Sequence, residues 1–122
     1  MKPVYVLNGP NLNLLGSREP TVYGTTTLAE IEQACAALLR SHGRASVFRQ
    51  SNHEGDLIDW LHEAGQEAEA VVINAGALTH TSIALHDAIK AIPIPVVEAH
   101  LSNPAAREPF RHTSLLAPAV RG

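Results

Sequence analysis

The sequence predicts an α/β fold with a central parallel sheet and helices on both faces. Three observations predict it. Short apolar runs alternate with helical patterns along the chain in the order βαβαβαβ. The third run, Ala70 to Ile73, is wholly apolar, as suits a strand covered on both faces. Polar residues gather just after each run, where ligands bind in such sheets.

The first strand is Val4 to Leu7, ending in Asn8-Gly9-Pro10. A long loop follows, from about Gly9 to Thr26, rich in Gly, Pro, Asn and Arg. Loops of that length inside a compact domain are usually functional or disordered. Thr27 and Glu30 have capping-box spacing. Behind them Leu28, Ile31, Cys35, Leu38 and Leu39 form a helical stripe, which Gly43 stops. Ala45 to Arg49 is the second strand. Ser51 or Asn52 can cap a helix with Leu57, Leu61 and Ala64 on one face. Ala70 to Ile73 leaves through the turn Ala75-Gly76-Ala77, and Ser82 to Ala91 is the third helix. Ile94 to Val97 is the fourth strand, running into Glu98-Ala99-His100. Asn103-Pro104 reads as an N-cap and first-turn proline of a short helix.

A chain of 122 residues reads as a single domain, 1–122, with enough apolar material at 45% for one modest core. The formal charge of -3 argues against a nucleic-acid surface. No apolar run approaches the roughly 20 residues that span a bilayer. Met1-Lys2-Pro3-Val4 enters a strand at once, without signal-peptide architecture, so the expected location is the cytoplasm. The one cysteine, Cys35, excludes an intrachain disulfide and falls in a helical stripe, as a small core residue would.

Glu98 and His100 stand two apart at a strand end and so leave on one face. A carboxylate beside an imidazole fixes its tautomer and raises its pKa, which suits a general acid. A surface ion pair has the same spacing, and both readings stay open. Arg18 and Tyr23 share the long loop. An ordinary phenol, with a pKa near 10, is a poor base at neutral pH. Lowering it by roughly 2–3 units takes about 3–4 kcal/mol of preferential phenolate stabilisation. Guanidinium groups in a partly desolvated pocket can supply that, and Arg107 and Arg111 follow the Glu98/His100 strand. Spacing alone favours the plainer picture of a packed ring and a solvated arginine. Asn11, Asn74 and His80 can donate to hydroxyls or a developing oxyanion. Asn8 and Asn11 serve equally as turn residues, and Thr79 to Ser82 as a bare N-cap. Amides after His100 are free to hold a carboxylate.

Other chemistries lack their motifs. Gly9 to Gly16 is not followed by Lys-Ser/Thr, and no GxGxxG occurs. Two strands end in Asn8 and Asn74 rather than acids, which weakens a magnesium-dependent reading. Seven histidines form no HExxH or similar pair, so no metal site is expected. Lys2 is terminal and Lys90 lies on a helix, which disfavours Schiff-base catalysis.

Four motifs in order resemble the type II 3-dehydroquinate dehydratase family over essentially the whole chain. They are Asn8-Gly9-Pro10-Asn11-Leu12-Asn13-Leu14-Leu15-Gly16 with Arg18-Glu19-Pro20 and Tyr23-Gly24; Arg49-Gln50-Ser51-Asn52 with Glu54-Gly55; Asn74 through Ser82; and Glu98 through Asn103 with Arg107-Glu108 and Phe110-Arg111. The resemblance implies a flavodoxin-like three-layer sandwich. It implies a cofactor-free anti elimination of water from 3-dehydroquinate, through an enolate, to give 3-dehydroshikimate in the shikimate pathway. Tyr23 would take the C2 proton, kept partly ionised by Arg18 with Arg107 nearby. Asn11 would hold a water or donor against the enolate oxygen. His100, oriented by Glu98, would protonate the departing C1 hydroxyl. Asn74, His80 and Arg111 would bind ring hydroxyls, and Leu101 and Ser102 the carboxylate. Asp87 would reach a neighbouring subunit's site in a homododecamer, a tetramer of trimers. Asn8, Asn13 and Asn52 are the residues most open to a loop-shaping role. Family members usually continue into a fifth strand and a final helix, which this sequence does not show. The alternative class is a non-catalytic flavodoxin-like module for a phosphate or nucleotide. Such a module has no need of Arg18/Tyr23 combined with Glu98/His100.

Overall fold

In a computed structural model describing residues 1–122, four strands form one parallel sheet in the order β2-β1-β3-β4. β1 is Val4–Asn8, β2 Ser46–Gln50, β3 Ala70–Asn74 and β4 Val96–Glu98. β1 pairs in register with both neighbours, so Asn8, Gln50 and Asn74 stand side by side at one end. Ile73 lies opposite Glu98. The carboxyl ends of all the strands therefore converge on one edge, and the loops leaving that edge build the site.

The long loop after β1 is structured. It holds a 3-10 turn, Leu12–Leu14, and a four-residue helix α1, Pro20–Tyr23. Helix α2, Leu28–Ser41, begins with the expected capping box between Thr27 and Glu30. It ends where Gly43, at φ +71°, lets Gly43 N–H reach Arg40 O at 3.0 Å and Arg44 N–H reach Leu39 O at 2.9 Å. This is a Schellman ending, which needs the left-handed glycine. The stripe is shallower than its pattern suggests. α2 buries no residue fully, and Leu38 faces solvent. The helix packs on the edge strand β2, so its apolar face finds a partner only along part of its width.

Helix α3, Glu54–Glu67, starts one or two residues after the expected cap. His53 is the capping residue, while Ser51 braces the turn by donating to Asp56 at 2.6 Å and accepting from His53 N–H at 2.9 Å. Helix α4, Ile83–Ala91, is capped by Ser82, whose oxygen accepts from Leu85 N–H at 2.9 Å. α3 and α4 lie together, and α3 covers β1 and β3. The core is this layer: Leu57 and Leu61 from α3, Leu85 and Ile89 from α4, and Leu7, Val71 and Ile73 from the sheet. Burying seven such side chains supplies on the order of 10–20 kcal/mol before the entropy of ordering is subtracted. The segment after Asn103 forms two 3-10 turns, Pro104–Ala106 and Pro109–Arg111, rather than an α-helix. At the far edge Arg121 N–H donates to Val96 O, and Glu98 N–H to Gly122 O, each at 2.8 Å. Residues 121 and 122 thus run along β4 and satisfy part of its outer edge. No helix is long and apolar enough to cross a membrane.

Candidate active site

A cleft of about 730 Å³, its open mouth included, lies over the carboxyl ends of the strands. Asn11, Arg18, Tyr23, Asn74, His80, His100, Leu101, Ser102, Arg107 and Arg111 all line it. Of the residues expected in the site, Glu98 sits just behind His100, and Asp87 is exposed on α4 outside the cleft wall.

Two close approaches bring the loops together. A Cβ on Gly9 would fall 2.4 Å from the Ala75 carbonyl oxygen, so the loops after β1 and β3 touch backbone to backbone. Asn11 takes a left-handed conformation at φ 70°, which asparagine tolerates, and its N–H donates to Asn52 Oδ1 at 3.0 Å. Gln50 donates to Gly9 O at 3.2 Å and to Asn52 Oδ1 at 3.1 Å. Asn8 is buried and donates to Arg49 O at 3.0 Å. Asn8 and Asn52 thus shape loops, while Asn11 keeps its side chain on the cleft. At the end of β3, Asn74 Oδ1 accepts from Gly76 N–H at 3.2 Å, which leaves its amide nitrogen to donate.

One wall is cationic. Arg107 Nη1 donates to the Tyr23 hydroxyl oxygen at 2.6 Å. Arg18 lies over the Tyr23 ring, its guanidinium carbon 5.0 Å from the centroid. Both arginines approach the phenol, but the direct donor is Arg107, 84 residues away in sequence, and not the sequence-adjacent Arg18. A guanidinium hydrogen bond favours negative charge on the oxygen it touches. Glu19, at φ 43° and opening α1, places its carboxylate 3.5 Å from Arg18 and 3.9 Å from Arg107. It offsets part of this positive field. Arg111 lines the same cleft and pairs with Glu108 at 2.5 Å.

The cleft is also lined by an imidazole paired with a carboxylate. His100 Nε2 is 2.8 Å from Glu98 Oε2, and the Glu98 side chain is only 8% exposed. Burial pushes the Glu98 carboxyl up, but hydrogen bonds from Thr79, His100 and Ser114 prevail and hold it below its usual range. His80 points Nδ1 at Thr113 O, 2.8 Å away. The Nδ1 proton is committed there, so Nε2 is the ring atom left for a ligand. Ser114, which contacts Glu98, gave no signal in the sequence, because nothing in its spacing ties it to a residue sixteen positions earlier. No three of His, Cys, Asp and Glu come together to hold a metal ion.

Fold and cleft together define an α/β protein with a polar, partly cationic cleft at the carboxyl edge of a parallel sheet, the layout of an enzyme site. Comparison with known proteins makes this specific. The family model for class II dehydroquinases matches residues 2–122, and the chain belongs to that family. It is 64% identical to the 3-dehydroquinate dehydratase of Maricaulis maris (strain MCS10), over 99% of this chain and 83% of that protein. It is 63% identical to that of Rhizobium johnstonii, over 98% and 82%. The crystal structure of type II dehydroquinase from Propionibacterium acnes superposes with a TM-score of 0.96 at 42% identity, covering 100% of this chain and 84% of that one. The type II dehydroquinase of Butyrivibrio crossotus gives 0.96 at 39% identity, over 99% and 85%. The flavodoxin-like fold expected from the motifs is thereby met.

Proposed function

We propose that this chain dehydrates 3-dehydroquinate to 3-dehydroshikimate by anti elimination, with Tyr23 as base and His100 as acid. The observation that carries the assignment is the pairing of Arg107 with the Tyr23 oxygen at 2.6 Å in the cleft that His100, held against Glu98, also lines. A passive phosphate-binding module has no use for two proton-transfer groups in one cleft.

The steps combine the family's chemistry with the placement of these side chains. The ketone makes the C2 proton acidic, and the Tyr23 phenolate takes it. Arg107, hydrogen-bonded to that oxygen, and Arg18, over the ring, stabilise the charge before transfer. The electron pair moves into the ring as an enolate. Asn11 supplies a donor, directly or through a water, for the enolate oxygen. Protonated His100 then gives its proton to the C1 hydroxyl, the C–O bond breaks, and water leaves as the enolate collapses to the conjugated enone. Glu98, hydrogen-bonded to Nε2, orients the ring for that transfer. Tyr23 ends protonated and His100 neutral, so one proton returns from base to acid through solvent in each turnover.

Asn74, His80 and Arg111 bind ring hydroxyls, and the Leu101 and Ser102 amides with the Ser102 hydroxyl bind the carboxylate. Ser102 stands 3.5 Å from Arg107, which sets the substrate anion beside the cationic wall. No metal or organic cofactor takes part in this scheme. Asp87, exposed on α4, serves a neighbouring subunit's cleft in a homododecamer built as a tetramer of trimers. The domain 1–122 carries the complete set of catalytic groups, and the enzyme works in the cytoplasm in aromatic amino-acid biosynthesis. The test is direct. Adding 3-dehydroquinate to the purified protein should raise enone ultraviolet absorbance, and a flat trace would refute the assignment.

A further inference from the structure

We propose that Thr79 and Ser114 are positioning residues of the acid: their hydroxyls clamp the Glu98 carboxylate and so fix which nitrogen of His100 carries the catalytic proton. This rests on the assignment of His100 as the acid. Thr79, fully buried in the 3-10 turn Gly76–His80, donates to Glu98 Oε2. Ser114 Oγ lies 3.0 Å from Oε1 and 2.8 Å from Oε2 of the same carboxylate.

A proton inventory fixes the directions. The two lone pairs of Ser114 Oγ already accept Leu116 N–H at 3.2 Å and Ala117 N–H at 3.0 Å. Ser114 therefore has only its own O–H to offer, and the carboxylate is its strongest acceptor. Thr79 Oγ1 is 3.0 Å from Ser114 Oγ but finds no free lone pair there, so it too donates to Glu98. Two hydroxyl protons directed at one carboxylate favour its charged form, since hydrogen bonds to the anion outweigh its burial. Glu98 is held as an anion, and the third donor to it is the Nε2–H of His100. The proton that His100 delivers must then sit on Nδ1.

The clamp is rigid because the segment 113–116 is tied down along its length. Leu115 N–H donates to Thr79 O at 2.7 Å, and His86 Nδ1 lies 2.6 Å from Leu115 O. Leu116 is fully buried in the core. Thr113 O also receives His80 Nδ1 at 2.8 Å. One short strap thus orients the acid's carboxylate on one side and a substrate-binding imidazole on the other.

The experiment uses Ser114→Ala, Thr79→Val and the conservative Thr79→Ser, with Glu98→Gln and His100→Ala as references. Thermal melts are recorded alongside the kinetics. Loss of one hydrogen bond to a charged group should lower kcat roughly 10-fold in Ser114→Ala and in Thr79→Val, with KM little changed. The acid-side fall of kcat should begin at higher pH in both, because Glu98 then protonates more readily. Thr79→Ser should restore both properties. In the Glu98→Gln background Ser114→Ala should have almost no further effect, since it acts only through that carboxylate. The clamp is overturned if His100→Ala is crippled while Ser114→Ala keeps the wild-type kcat and pH profile, or if its loss adds fully to that of Glu98→Gln. A His100→Ala enzyme with normal kcat would instead overturn the acid assignment itself, and the clamp with it.

Discussion

Cutting the Arg107 guanidinium away from the Tyr23 oxygen tests whether the phenol is the base. At 2.6 Å this is a short hydrogen bond from a permanent cation. Such a bond to a charged partner contributes about 1.5–3 kcal/mol. That energy belongs to the phenolate far more than to the neutral phenol, so it appears in the proton-abstraction barrier. Arg107→Ala should then lower kcat by about 10- to 150-fold, at roughly 1.4 kcal/mol per decade. Tyr23→Phe removes only the ionisable oxygen and keeps the ring that Arg18 covers, so it should cost more than Arg107→Ala. Because both changes disable one proton transfer, the double variant should be little worse than Tyr23→Phe alone. Steady-state kinetics across the four enzymes measure this. If the two losses add, or if Arg107→Ala raises KM with kcat intact, then Arg107 only grips substrate and the reasoning fails. Arg18→Ala, lacking a direct bond to the oxygen, should cost less than Arg107→Ala.

Other consequences are as sharp. His100→Ala should lower kcat by roughly 10²–10⁴-fold, and Glu98→Gln by less, since the imidazole survives; stopped assays on both variants check the order. Activity should withstand EDTA followed by exhaustive dialysis, and borohydride with substrate should leave no adduct on Lys2 or Lys90 by mass spectrometry. Gly9→Ala would force its Cβ to within 2.4 Å of a backbone oxygen, so it should cost about 1–3 kcal/mol and depress the melting temperature. Tyr5 gives a stability signature at high pH. Burial, together with its hydrogen bond to Glu63, pushes its phenol from 10.0 up to about 12. Its contribution is therefore fully present below pH 10 and is lost as pH rises through 12, because the unfolded chain sheds the proton first. Denaturant titrations from pH 9 to 12 should show this decline in the wild type and a shallower one in Tyr5→Phe.

Much of the molecule was legible as sequence. The alternation of apolar runs with helical stripes places all four strands and the three long helices, since local periodicity and caps act over a few residues. The Thr27/Glu30 box and the Gly43 stop are of this kind and occur as read. The run Ile94 to Val97 becomes a strand only from Val96, because Pro93 and Pro95 lack the N–H that ladder pairing uses. Leu38 follows the helical stripe yet faces water, because burial depends on what lies opposite, and α2 covers only an edge strand.

The candidate site divides the same way. Its residue types, its place at the strand ends and the Glu98/His100 spacing follow from the sequence alone, because a strand's alternation is a local rule. Which partners meet does not. Arg18 is near Tyr23 in the chain, but the hydrogen bond comes from Arg107, brought across by the turn after β4. Thr79 and Ser114 reach Glu98 from two different segments, and their donation is set by hydrogen-bond saturation that no spacing encodes. Sequence periodicity governs which face a side chain leaves by. The contacts that bring Arg107 to the Tyr23 oxygen and two hydroxyls to Glu98 belong to long-range packing, which exists only once the whole sheet and its loops have closed.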